Sequence, residues 1–112
     1  MLSEYTKKSI KTDSVLNNEL YNIESRISEY ILKNRFNSIM WSKYYSSKDD
    51  DEPTSCIVEF NTHGKIEIVD FIELAIKTTA LDVKFIGKLD NKLHDFHRRS
   101  SGTSGQILFK VP

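Results

Sequence analysis

The residues best suited to chemistry lie between Lys92 and Gly105. This stretch holds two of the three histidines, His94 and His97, the pair Arg98-Arg99, and the run Ser100-Ser101-Gly102-Thr103-Ser104-Gly105. Basic side chains beside a loop of small residues, Gly102 among them, are what a phosphate contact uses, because backbone amides can approach the anion closely. A histidine pair also supplies the acid and the base that metal-free RNA cleavage requires. The same residues have a plainer reading. His94 and Arg98 stand four apart, as on one solvated helix face, Asp95 and Arg99 make a local ion pair, and Ser/Gly is ordinary loop composition.

Other spacings fall short of a site. His94 and His97 have no Cys or carboxylate at a zinc-binding interval, so no metal is assigned. Asp49-Asp50-Asp51-Glu52 lacks the alternating ligands and the glycine of an EF-hand loop. It reads as a solvated acidic loop that can meet a basic partner. No Gly-x-Ser-x-Gly elbow, phosphate-binding P-loop or dinucleotide glycine pattern occurs, and no cofactor is implied. Cys56, the single cysteine, falls on the apolar side of an alternating stretch and reads as a small buried hydrophobe rather than a reactive thiol.

These residues must be held by an alternation of strands and helices. Leu16, Leu20, Ile23, Ile27 and Tyr30 or Ile31 form one apolar stripe at spacings of four and three, a helix capped by Asp13 or Ser14. The stripe covers only about two heptads, too few for a coiled coil. Phe36 to Tyr45 predicts a first strand, with Ile39, Trp41 and Tyr45 on one face and Met40 and Tyr44 on the other. Cys56, Val58 and Phe60 predict a second strand. Asn61-Thr62-His63-Gly64 reads as a turn, and Ile66 and Ile68 as a third strand. Asp70, three residues before Glu73, has the spacing of a capping box for a helix over residues 71–78. Leu81, Val83 and Phe85 alternate again. Asp90 or Asn91 caps a short helix bearing Leu93, Phe96 and His97, residues 100–105 form a flexible loop, and Ile107, Phe109 and Val111 make the last strand. The expected core holds Leu20, Ile23, Ile27, Val58, Phe60, Ile68, Leu74, Val83 and Phe85.

The fold class expected is α+β: an N-terminal helix, a three-stranded antiparallel meander, then helix-strand-helix-strand completing one sheet packed against helices. Residues 1–12 read as a flexible arm and residues 13–112 as a single domain. The helix-strand order resembles the core of the PD-(D/E)xK nucleases in element order alone. Those enzymes hold a metal beside the scissile phosphate with acids and a lysine on adjacent strands. Asp82-Val83-Lys84 carries the short motif, but on the strand after the central helix, whereas the family keeps it on the hairpin before that helix. Asp90-Asn91-Lys92 repeats it in a loop, and Glu59 and Glu67 on the hairpin lack the following lysine. The chain is not assigned to that family.

Sixteen basic and sixteen acidic residues cancel over 112 positions. This argues against a protein whose main work is non-specific binding to nucleic acid or anionic membrane. No apolar run approaches the ~20 residues of a membrane span. Met1-Leu2-Ser3-Glu4-Tyr5 does not read as a secretory signal, and a lone cysteine suits a reducing cytoplasm. The leading expectation is a cytoplasmic binding protein without enzymatic activity, of the inhibitor, immunity or antitoxin type, that caps another protein. Trp41, Tyr44 and Tyr45 are its expected exposed anchors, with Asp49, Asp50 and Asp51 beside them. The alternative is a nucleic-acid-binding protein or small ribonuclease that uses His94, His97, Arg98, Arg99 and Gly102. A third is a homodimer in which the sheet or the first helix pairs with its copy.

Overall fold

The computed structural model describes residues 5–6, 14–33, 38–46, 53–63, 67–87, 90–93 and 101–112. Among them the chain order is β1 (Tyr5–Thr6), α1 (Val15–Lys33), β2 (Ser38–Ser46), β3 (Ser55–His63), α2 (Glu67–Lys77), β4 (Asp82–Phe85), β5 (Asp90–Leu93) and β6 (Ser101–Lys110). The class is α+β, with two helices and an antiparallel sheet of order β1-β2-β3-β6-β4 in which β5 also pairs with β6.

Helix α1 starts at a serine cap. The Asn17 amide donates to Ser14 Oγ at 3.0 Å, and the Asn18 amide donates to the Ser14 carbonyl at 2.9 Å. This satisfies donors that a helix start would otherwise leave unpaired. The stripe Leu16, Leu20, Ile23, Ile27 and Ile31 is buried as its spacing predicts. Helix α2 buries Ile68, Ile72, Ala75 and Ile76, again one helical face. The rings of Tyr30 and Phe71 stack across the two helices, with centroids 4.2 Å apart. Glu19 then ties α1 to the segment after α2. Its carboxylate accepts hydrogen bonds from the Ala80 amide and the Thr79 hydroxyl, each at 2.8 Å. These two donors, the Ala80 amide foremost, lower the Glu19 pKa. Arg26 and Thr78 add a further hydrogen bond between the same two parts.

Register fixes which strand residues share a face. Tyr45 lies opposite Cys56, Lys43 opposite Val58 and Trp41 opposite Phe60. Cys56 lies opposite Phe109 and Val58 opposite Ile107. Alternation places all of these on the side covered by the helices. Trp41 meets Phe60 edge to face, centroids 4.9 Å apart. The other side carries Met40, Ser42 and Tyr44 of β2, Ile57, Glu59 and Asn61 of β3, and Ser104, Gln106 and Leu108 of β6.

Several expectations are corrected. Glu67 and Ile68 belong to α2, so the expected third strand of the meander is absent there, and the second neighbour of β3 is β6. Asp70 lies inside α2, exposed, and is not its cap. Thr62 and His63 continue β3 instead of turning, and Thr62 is buried. Residues 90–93 are a strand rather than a capped helix, because β6 begins at Ser101 and presents a long edge for them to pair with. The Ser/Gly run is thus strand, not flexible loop. Strands β3 and β4 run parallel to each other, with β6 antiparallel between them. Tyr5 and Thr6 of the expected arm pair with Ser46 and Tyr45. Leu74 and Phe85 are exposed, at 58% and 48%, against the expected core. Leu74 faces away from α1, and Phe85 sits on the last strand of the sheet.

Replacing Ile72 by Ala should cost about 2–5 kcal/mol, through lost burial and the cavity left behind. Leu74→Ala, two residues along, should stay within about 0.5 kcal/mol. Ser14→Ala should cost about 1 kcal/mol as a lost cap, and Asp70→Ala almost nothing. Urea unfolding of the four variants checks this ordering.

Candidate functional site

The side of the sheet away from the helices gathers partly exposed polar side chains, with Ile57 buried on the same side. A groove of about 370 Å³ is lined there by Met40, Ser42, Glu59, Asn61, Ser104 and Gln106. Met40 is 67% exposed, a large apolar group turned to solvent. Gln106 Nε2 donates to Glu59 Oε2 at 2.6 Å. The Tyr44 hydroxyl also hydrogen-bonds to Glu59, and that bond, with the nearby negative charge, raises the phenol pKa. Tyr44, Glu59 and Gln106 therefore form one connected set across β2, β3 and β6. Each fixes the next, so the groove wall is organised before any ligand arrives. The groove offers one carboxylate, amides, hydroxyls and a thioether.

The three aromatic anchors expected on strand β2 divide between the faces. Tyr45 is 3% exposed and belongs to the core, so it is not an exposed anchor. Trp41 is half-buried and packs on the core from the helix side. Tyr44 alone stays on the open face. Asp49, Asp50 and Asp51 lie outside the described residues, as do His94, His97, Arg98 and Arg99. Gly102 is in β6, in one row of the register with His63 of β3 and Lys92 of β5. Sequence reasoning missed Glu59, Gln106 and Met40 as a group. Their only signal is parity, and parity becomes a surface only when the strand order is known.

Beneath α1 lies a second set of titratable groups. Lys43 Nζ donates to Glu24 Oε1 at 3.3 Å, while Glu24 Oε2 is buried with no partner among the described residues. Burial pushes the Glu24 pKa up, and Lys43 opposes this only in part. Burial likewise pushes the Cys56 thiol up to about 12 and raises the Tyr45 phenol. Cys56 is thus an inert core thiol, as its place on the strand predicted. No three His, Cys, Asp or Glu among the described residues converge as a metal-ligand set.

No protein family matches the chain, and no curated protein or solved structure shows significant similarity to it.

Two measurements test these electrostatics. Glu59→Gln removes the charge that holds the Tyr44 proton, so the Tyr44 pKa should fall back toward 10, read by NMR titration of tyrosine ring carbons. For Glu24 the folded state binds the proton more tightly than the unfolded chain does. The stability this gives is present below the ordinary value of 4.5 and is lost as pH rises through the raised folded value. Glu24→Gln, which does not titrate, should therefore gain on the natural protein as pH rises above that range, measured by urea unfolding across pH.

Proposed function

We propose that this chain is a small non-enzymatic binding protein that caps a macromolecular partner with the open face of its sheet, as inhibitor, immunity and antitoxin-type proteins do. The observation that carries this reading is the polar set beside the exposed Met40, on the side of the sheet away from the helices. Glu59, Gln106 and Tyr44 are held in one hydrogen-bonded set beside the exposed Met40. No described element packs over them. A surface with a fixed polar frame and an exposed apolar centre suits a protein partner better than a turnover site, because it binds without offering an acid-base pair. The balanced charge of the whole chain is in keeping with such a partner. Among the described residues no helix is long and apolar enough to cross a membrane. A cytoplasmic setting is part of the proposal, as it keeps Cys56 reduced.

The acidic run Asp49, Asp50 and Asp51 follows β2 in sequence, and its charge would speed the encounter with a basic protein. The alternative, nucleic-acid binding through His94, His97, Arg98, Arg99 and Gly102, has one point in its favour. The register row of Lys92, Gly102 and His63 sets a third histidine position in line with that segment.

Affinity capture with the natural protein, followed by rate measurements, separates the two. Met40→Asp should abolish capture of a protein partner. Tyr44→Ala should speed dissociation by about tenfold or more, since an anchor in a formed complex acts on that rate. Neutralising Asp49, Asp50 and Asp51 should instead slow association and flatten its salt dependence. Retention of the partner by both face variants would overturn the proposal. Capture of RNA that is lost on Arg98→Ala and Arg99→Ala would replace it with the alternative.

A further inference from the structure

We propose that two copies of this chain pair through their β4 strands, antiparallel about a two-fold axis at Val83, joining the two sheets into one. The surface lies at the sheet edge, apart from the open face, and the inference does not rest on what that face binds.

Strand β4 ends the sheet order, with β6 on one side and no described strand on the other. The hydrogen-bond alternation of β4 follows from its neighbour. The Ile86 amide donates to the Gln106 carbonyl at 3.1 Å, which makes that a hydrogen-bonded pair. Two residues back, Lys84 opposite Leu108 and Asp82 opposite Lys110 are then hydrogen-bonded pairs too. The backbone N–H and C=O groups of Val83 and Phe85 consequently point away from β6. No described strand pairs with them, so among the described residues they form an edge of the kind to which another strand adds.

The sequence of that edge is complementary to itself. In Leu81-Asp82-Val83-Lys84-Phe85, a two-fold axis at Val83 sets Asp82 against Lys84 of the second copy, twice. It sets Leu81 against Phe85, twice, and Val83 against itself. Charges meet opposite charges on one face, and apolar groups meet apolar groups on the helix side. Val83 is also an outward-directed residue, so the pairing that suits the side chains suits the backbone bonds. An axis at Lys84 or Asp82 would oppose like charges, and an axis between Val83 and Lys84 would set apolar residues against charged ones. Beside β4, a groove of about 380 Å³ between that strand and α2 is lined by Ile76, Leu81, Val83 and Phe85, with Glu73 and Lys77 at its rim. Phe85, 48% exposed in the single chain, would meet Leu81 of the second copy there. A lysine on an edge strand and a bulge beyond it, where the Ile86 and Gly87 amides share one carbonyl, discourage strands in general. Only a strand with an acid opposite Lys84 answers that lysine, and the chain's own β4 supplies one.

Sedimentation velocity over the micromolar range tests the pairing. The natural protein should self-associate. Asp82→Lys and Lys84→Asp should each weaken this by about tenfold or more, because both cross-pairs become like-charged. A one-to-one mixture of the two variants should form a heterodimer, and the double variant should self-associate again, since both restore opposite charges. Val83→Pro removes an outward N–H while leaving the bonds to β6, so it should keep the circular dichroism of the natural fold and lose association. A natural protein that stays monomeric overturns the proposal. So does undiminished association of the single-charge variants, or of a folded Val83→Pro. Failure of the mixture to associate, with both variants folded, overturns it as well.

Discussion

Everything in this fold depends on covering one side of the sheet. Cys56, Val58 and Phe60 of β3 and Ile107 and Phe109 of β6 put large apolar groups at every second position, and all of them are buried to 2% exposure or less. Burial of each such side chain is worth roughly 1.5–3 kcal/mol, so the sheet must find a lid. Helix α1 brings five buried aliphatic residues and α2 brings its own stripe. The two helices are then locked to each other by the Tyr30–Phe71 stack and by Glu19. Once parity has committed one set of residues to the lid, the opposite set lies on the far side of the sheet, where Ile57 is buried too and Met40 is exposed. The Tyr44, Glu59 and Gln106 network is in this sense a by-product of the core: its members are the residues the core could not use.

The lid is not wholly apolar. Lys43 lies in the row of Val58 and Ile107, on the helix side, and reaches Glu24 of α1. Its stem can lie along the apolar surface while its charge finds the carboxylate. A half-buried pair of this kind adds little net stability, because desolvation offsets the attraction. Its effect is on alternatives. If α1 were rotated or moved by one turn, both charges would lose their partner, at a cost well above the worth of the pair itself. The pair therefore selects one docking of α1 from among several that would bury the stripe equally well.

What the sequence revealed follows the same physics. The stripe of α1, the alternation of β2 and β3 and the burial of Cys56 were legible because each is a local pattern with one dominant period. The division of Ile39, Trp41 and Tyr45 from Met40 and Tyr44 was legible too, but not which side would be covered, and two of the three aromatic anchors went to the core. Residues 66–68 misled because Ile66 and Ile68 alternate like a strand, while Ile68 and Ile72 share a helical face; four residues of context favour the helix. The Ser/Gly run misled for the opposite reason. Its composition is that of a loop, and it becomes strand because β3 lies alongside Gly102 to Gly105 and β5 alongside Ser101 to Ser104. Strand partners distant in sequence override weak local preference, and no local reading can supply them.

That override gives β6 its place in the argument. It follows every other described element in the chain, yet it sits between β3 and β4 and is the only described strand that β4 or β5 pairs with. Until it is in position, β3 lacks its second described neighbour, and β4 and β5 lack the described strand they pair with. The chain must therefore hold α1, β2 and β3 together by their own contacts, the helix stripe and the β2–β3 hairpin, before the sheet can be completed. Local hairpin and helix contacts close at small entropic cost, whereas the pairing of Cys56 with Phe109 spans half the chain and closes late. The cost of that order is an apolar face half built while the chain waits. The half-buried pair of Lys43 and Glu24 lies entirely within α1 and β2, where it favours one placement of α1 over that face.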